Sequence, residues 1–129
     1  MKLNTYRRTS AFTLVEIMIV VAIIGLLAAI AIPNFVRARE TSQTNACVNN
    51  LRQIDAAKDQ WALETGQTTG ADAPRNDINQ YLRREPLCPV GNTPYDYTKV
   101  GTNALCMSAK AVEHNRAYGT TDTGSGSGG

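Results

Sequence analysis

The chain has 129 residues, a formal net charge of +2 and 19% charged side chains, which suits one small domain with a further segment attached. Lys2, Arg7 and Arg8 are three of its thirteen basic residues and no acid precedes Phe12, so from Phe12 onward ten basic side chains face eleven acidic ones. No basic tract remains in that part, which argues against nucleic-acid binding through a charged patch.

The first element is the most informative. Two arginines and a short polar bridge lead into Phe12-Thr13-Leu14-Val15-Glu16, and from Ile17 to Ile32 there is no charged or strongly polar side chain. Counted from Phe12, the run reaches Pro33 after 21 residues, long enough as a helix to cross a bilayer core of roughly 30 Å. Glu16 lies inside it, and a carboxylate in hydrocarbon is costly unless something meets the charge. An ordinary secretory signal would start with the same basic residues and could be cut after Ala29-Ile30-Ala31, but its apolar core is shorter and lacks an acid. A twin-arginine export signal fits poorly, because Thr9-Ser10-Ala11-Phe12 follows Arg7-Arg8. A plain single-span anchor leaves Glu16 unexplained.

These residues resemble the prepilin family, which comprises the type IV pilins and the pseudopilins of type II secretion systems. The basic start, the small Ala11, the stretch Phe12 to Glu16, and Gly25 and Pro33 at their distances from Phe12 carry the resemblance. It covers about a quarter of the chain, and Ala11 stands where the family usually has glycine. The resemblance implies that a prepilin peptidase cuts between Ala11 and Phe12 and methylates the new Phe12 amine. Residues 1–11 would then be a leader, 12–36 a transmembrane and assembly helix, 37–118 a periplasmic pilin-like domain and 119–129 a flexible Gly/Ser tail. It implies that Glu16 pairs with the N-terminal amine of a neighbouring subunit in a helical filament. It also implies an inner-membrane platform, an ATPase and minor pseudopilins as partners. The leader's charges fit an N-terminus held in the cytoplasm with the remainder in the periplasm.

Further along, Asn34 to Glu64 keeps helical register. Val48, Leu51, Ile54 and Trp61, with Cys47, Ala57 and Ala62, make one apolar face, while Arg52, Asp55, Lys58 and Asp59 make a wet one. Pro33 should kink or loosen this helix, Gly25 is a second weak point, and the resemblance implies that residues 25–33 unwind on assembly. Gly66 is the expected stop. Gln67 to Arg75 reads as a polar linker, followed by a short helix capped by Asn76 or Asp77 with Ile78, Tyr81 and Leu82 on its apolar side. Pro94 to Val100 reads as a strand, Gly101-Thr102-Asn103 as a turn and Ala104 to Ser108 as the returning strand, with a third short strand near Val112. The expected fold class is α+β, a long N-terminal helix carrying a small antiparallel sheet.

Three cysteines, Cys47, Cys88 and Cys106, would meet an oxidising compartment after export, where one bridge is plausible and three pairings are open. The pair Cys88 and Cys106 resembles the disulfide-bounded C-terminal region of type IV pilins. A bridge there would close a loop worth about 3 kcal/mol, leaving Cys47 as a small buried hydrophobe. No cysteine–histidine metal site is expected: His114 is the only histidine and reads as a solvated surface residue, and no Cys-x-x-Cys occurs. No cofactor is expected. Calcium enters only through the resemblance, since some type II major pseudopilins bind it in a C-terminal loop. Asp96, Glu113 and Asp122 are the acidic candidates, short of the several converging ligands such a site needs. No nucleophile arrangement accompanies His114, so the chain reads as a structural subunit rather than an enzyme. The pseudopilus of type II secretion is the leading role. A type IV pilus subunit for adhesion, motility or DNA uptake is the alternative, and a membrane-anchored periplasmic binding domain a minor one.

Overall fold

The computed structural model describes Met1 and residues 10–120. The basic residues of the leader, the Gly/Ser tail from residue 121 and Asp122 lie outside the described residues. The chain divides into two compact units, Met1–Ala38 and Arg39–Gly129.

Helix α1 runs from Leu14 to Thr65 and contributes to both units. In the first unit every large hydrophobic side chain from Leu14 to Val36 is exposed, on all sides of the helix. The helix is continuous through Gly25 and Pro33. Proline removes a single backbone bond, and the turns on either side carry the helix across it. The Asn34 amide also donates to the Ile30 carbonyl at 3.3 Å.

In the second unit, α1 buries Cys47, Val48, Leu51, Ile54, Ala57, Trp61 and Ala62, the face that the spacing predicts. The helix stops where expected. Gly66 takes φ +69, and the Gln67 N–H returns to the Ala62 carbonyl at 2.9 Å, the six-to-one bond of a Schellman closure.

The short helix α2 spans Arg75–Ile78, starting two or three residues earlier than a cap at Asn76 or Asp77 would place it, and passes into a 3-10 turn at Asn79–Tyr81. Neither Asn76 nor Asp77 is its cap. Pro74, extended at φ −64 and ψ 123 with no side-chain cap bond, holds that place, because its ring fixes the entry angle. Ile78 is fully buried, with Tyr81 and Leu82 packed against the core.

Three short strands follow: β1 at Leu87–Cys88, β2 at Thr93–Asp96 and β3 at Leu105–Cys106. They form one antiparallel sheet in the order β1-β2-β3. Cys88 pairs with Thr93, and Tyr95 with Cys106. The hairpin lies where the alternation placed it, but its strands are shorter. Asp96 Oδ1 accepts the Thr98 N–H at 3.0 Å and Thr98 turns to φ 55, which ends β2 early. The third strand is not near Val112: that residue belongs to helix α3, Ala111–Tyr118, closed by Gly119 at φ 87. The actual third strand, β1, precedes the hairpin. Gly101, at φ +79, is needed where it stands, because a Cβ there would come within 2.6 Å of Thr69 Cγ2.

One residue assigned to the wet face of α1 is instead buried. Lys58 is 1% exposed. Its ammonium pairs with Asp55 at 2.8 Å and donates to the Thr102 carbonyl at 2.5 Å, with the Lys99 carbonyl and Thr98 Oγ1 at 3.4 Å. Asp55 in turn accepts the Ala104 N–H at 2.9 Å and the Tyr118 hydroxyl at 2.5 Å. This knot fastens the turn after β2 and the end of α3 to α1. Two turns earlier on the helix, Asn50 of α1 donates to the Leu87 carbonyl and the Tyr95 hydroxyl, each at 3.1 Å. Arg75 donates to the Tyr95 carbonyl and lies 5.1 Å above the Tyr97 ring.

Two outcomes follow for this knot. Lys58→Ala should lower unfolding free energy by roughly 2–3 kcal/mol, the range for buried bonds to a charged group, in denaturation followed through Trp61 fluorescence. A loss below about 0.5 kcal/mol, typical of surface residues, would remove Lys58 from that role. Burial, then the bond to Asp55, raises the Tyr118 hydroxyl above its ordinary value, Asp59 adding and Arg52 opposing. The folded state therefore holds this proton more tightly than the unfolded chain. That contribution is complete below about pH 10, the ordinary tyrosine value, and is lost as pH rises through the folded value. Tyr118→Phe should make the alkaline fall in thermal stability shallower.

Candidate functional site

The N-terminal motif begins just outside the helix. Ala11 and Phe12 are exposed and precede α1. Thr13 is its N-cap: Glu16 donates its N–H to Thr13 Oγ1 at 3.2 Å, while Glu16 Oε2 accepts the Thr13 N–H at 2.8 Å and the Thr13 hydroxyl at 3.0 Å. This reciprocal arrangement is a capping box, which satisfies helix-end donors that would otherwise lack partners. The carboxylate that the sequence left without a partner thus has one three residues away. The spacing Thr13-x-x-Glu16 before an apolar run is itself the sequence signature of such a box.

A second constellation lies in the core of the other unit. Cys47 on α1, Cys88 on β1, Cys106 on β3 and His114 on α3 bring three sulfurs and an imidazole nitrogen within 4.8 Å of one another. Cys88 Sγ and Cys106 Sγ are 3.6 Å apart, and His114 Nδ1 lies 3.6 Å from the first and 3.5 Å from the second. All three cysteines are free thiols. The expected Cys88–Cys106 bridge is therefore not formed in this structure, where the imidazole stands beside both sulfurs and Cys47 closes the group. His114, expected in solvent, is 1% exposed. Burial pushes its imidazole below the ordinary histidine value, Lys110 adding to the effect and Glu113 opposing it, so the ring is neutral near pH 7. Burial also pushes the Cys47 thiol up.

The residues around this group hold its backbone in place. The Cys106 N–H donates to Asn115 Oδ1 at 2.8 Å, Asn115 Nδ2 donates to the Cys106 carbonyl at 3.3 Å, and Ser108 Oγ lies 3.1 Å from Cys106 Sγ. Asn115 and Ser108 are buried polar side chains that sequence reasoning did not single out. A lone histidine in a sequence without Cys-x-x-Cys gives no local cue, because the four side chains come from four separate elements.

The acidic candidates for calcium do not assemble in this way. Asp96 caps the backbone at Thr98, and Glu113 pairs with Lys110 at 3.5 Å. Among the described residues neither belongs to a group of three or more histidine, cysteine or carboxylate side chains. A cleft of about 420 Å³ lined by Asn50, Gln53, Arg84, Glu85, Pro86 and Leu87 brings together no histidine, cysteine or hydroxyl.

A helix that is apolar on all sides at its start and one-sided further on, headed by Phe12 and Glu16 and carrying a small antiparallel sheet, defines a pilin-like α+β protein. Residues 6–32 match the prokaryotic N-terminal methylation motif. Type II secretion system core protein G of Pseudomonas aeruginosa is 32% identical over 111 residues, covering 74% of this chain and 78% of that protein. Its counterpart in Aeromonas hydrophila is 30% identical over 110 residues, covering 74% and 76%. The type IV major pilin protein PilA of Myxococcus xanthus is 47% identical over 57 residues, but these cover 44% of this chain and 26% of that protein. No solved structure matches the chain. The chain belongs to the type II secretion system core protein G family of pseudopilins. That family is one of structural subunits, and with its apolar first helix the protein is membrane-anchored.

Burial sets the behaviour of the cysteines. In the native chain all three should react with a maleimide at least roughly tenfold more slowly than after unfolding, as buried structural thiols do. Unfolding without reductant should release three reactive thiols, counted by mass. A single thiol released would mean that two of them are bridged.

Proposed function

We propose that the chain is a building block of a type II secretion pseudopilus, cut between Ala11 and Phe12, methylated at the Phe12 amine and polymerised through α1. The observation that carries this reading is the similarity to core protein G, 32% identical over 74% of this chain, whereas the Myxococcus pilin matches only 44% of the chain and the wide pilus component PilA4 of Thermus thermophilus, matched over 80%, is 28% identical. In this reading residues 12–36 wait in the inner membrane with the N-terminus on the cytoplasmic side, and the domain from residue 37 faces the periplasm. Prepilin peptidase, an inner-membrane platform with its ATPase, and minor pseudopilins are the partners.

The physical logic starts at the apolar surface from Leu14 to Val36. Such a helix leaves lipid only when like helices replace the lipid, and head-to-tail repetition of that contact gives an open helical filament. Glu16 provides the register: it exchanges its bonds to Thr13 for the Phe12 amine of the next subunit, a charge pair in low dielectric. Gly25 and Pro33 are the places where α1 unwinds as it packs. The higher local identity to the Myxococcus pilin favours a type IV pilus as the second reading.

Intact mass from membranes of cells with a prepilin peptidase should show loss of residues 1–11 and gain of one methyl group. Glu16→Leu should insert into the membrane at the normal level and yield little or no filament; wild-type amounts of filament would overturn the role given to Glu16. Deleting the chain should abolish export of secreted proteins while leaving surface fibres, and the opposite pattern would replace the secretion reading with the pilus one.

A further inference from the structure

We propose that Cys47, Cys88, Cys106 and His114 form a structural zinc site that ties α1, β1, β3 and α3 together. This inference stands on the side-chain cluster alone and does not depend on which filament the chain builds.

A tetrahedral ion with Zn–S bonds of about 2.3 Å and a Zn–N bond of about 2.0–2.1 Å sets sulfur–sulfur edges of about 3.8 Å and sulfur–nitrogen edges of about 3.6 Å. The edges Cys88–Cys106, Cys88–His114 and Cys106–His114 are 3.6, 3.6 and 3.5 Å, and Cys47 Sγ stands within 4.8 Å of each of the other three ligand atoms. Three cysteines and one histidine are a complete ligand set for a closed structural site. Thiolate and imidazole donors select zinc over hard cations such as calcium.

The alternative use of these residues, a single disulfide, accounts for them less well. It would consume two sulfurs and leave a third thiol and an imidazole packed against the bond. Zinc employs all four donors. The two outcomes are mutually exclusive, because a disulfide sulfur has no thiolate to offer.

The chemistry balances without an oxidant. Zn²⁺ enters, the three thiols release three protons, and the sulfurs and His114 Nδ1 donate their lone pairs, leaving a centre of net charge −1. No electron moves, and sulfurs held by zinc are withdrawn from oxidation by an external disulfide. The surroundings suit such a centre. All four residues are at most 1% exposed, and Ser108 Oγ, 3.1 Å from Cys106 Sγ, is placed to donate to a thiolate there. Asn115 holds the Cys106 backbone on both sides, as the outer partners of metal sites do.

The test uses the full chain, extracted from membranes in detergent without reductant, with metal measured by plasma mass spectrometry. One zinc per chain is expected, falling to near zero in Cys88→Ser and in His114→Gln, and Ser108→Ala should weaken zinc affinity about tenfold. If the ligand variants fail to fold, the wild-type chain stripped of metal and titrated with Co²⁺ decides. Intense visible bands of tetrahedral cobalt thiolate should saturate at one equivalent and vanish on adding zinc. A metal-free chain lighter by two hydrogens, a chain of three free thiols that gives no cobalt bands, or full zinc occupancy in Cys88→Ser would each overturn the proposal.

Discussion

The apolar residues of α1 from Leu14 to Val36 point outward on every side of the helix, so water cannot be their lasting neighbour. At about 25 cal/mol per Å² of apolar surface, a helix of this kind is held in lipid until protein offers an equivalent cover. Everything particular about the chain's first unit acts within that constraint. Glu16 does not weaken the membrane segment as an unpaired charge would, because Thr13 receives it at the helix end. The same two residues start the helix and supply hydrogen bonds to its carboxylate, which keeps its charge.

The second unit faces a different difficulty: it is small, and small domains bury too little surface to be secure on packing alone. Its strands are two to four residues long, so ladder hydrogen bonds contribute little. Stability comes instead from connections that run back to α1. Lys58 and Asp55 hold the turn after β2 and the end of α3, Asn50 holds β1 and β2, and the cysteine–histidine group joins four elements at one point. The helix is the common floor of the domain, and each later element is fixed to it by a side chain at a different level.

How much of this was legible in the sequence depended on the range of each signal. The apolar face Cys47 to Ala62 and the stop at Gly66 follow from helical spacing and from one glycine at positive φ, both local, and both were read correctly. The hairpin was placed correctly because Tyr95 and Tyr97 alternate. Its length was not, because β2 ends at a side-chain bond from Asp96 to Thr98 that no periodicity encodes. A two-residue strand such as β1 has no period to detect, and Ala111 to Tyr118 has too little apolar patterning to separate helix from strand. Lys58 was misassigned for a physical reason: a lysine turned outward by helical phase still has a long stem, and a hydroxyl and two carbonyls 40 to 44 residues away decide where its charge ends. The grouping of His114 with the cysteines likewise rests entirely on tertiary placement.

The buried ammonium of Lys58 also says something about the loop that it enters. One carboxylate, two backbone carbonyls and a hydroxyl surround it, a collection of oxygens of the kind that hard cations take. Here the positive charge arrives on a tether from α1. The loop's counter-charge is thus part of the polypeptide, present from the moment the chain folds and indifferent to the ions in the surrounding medium.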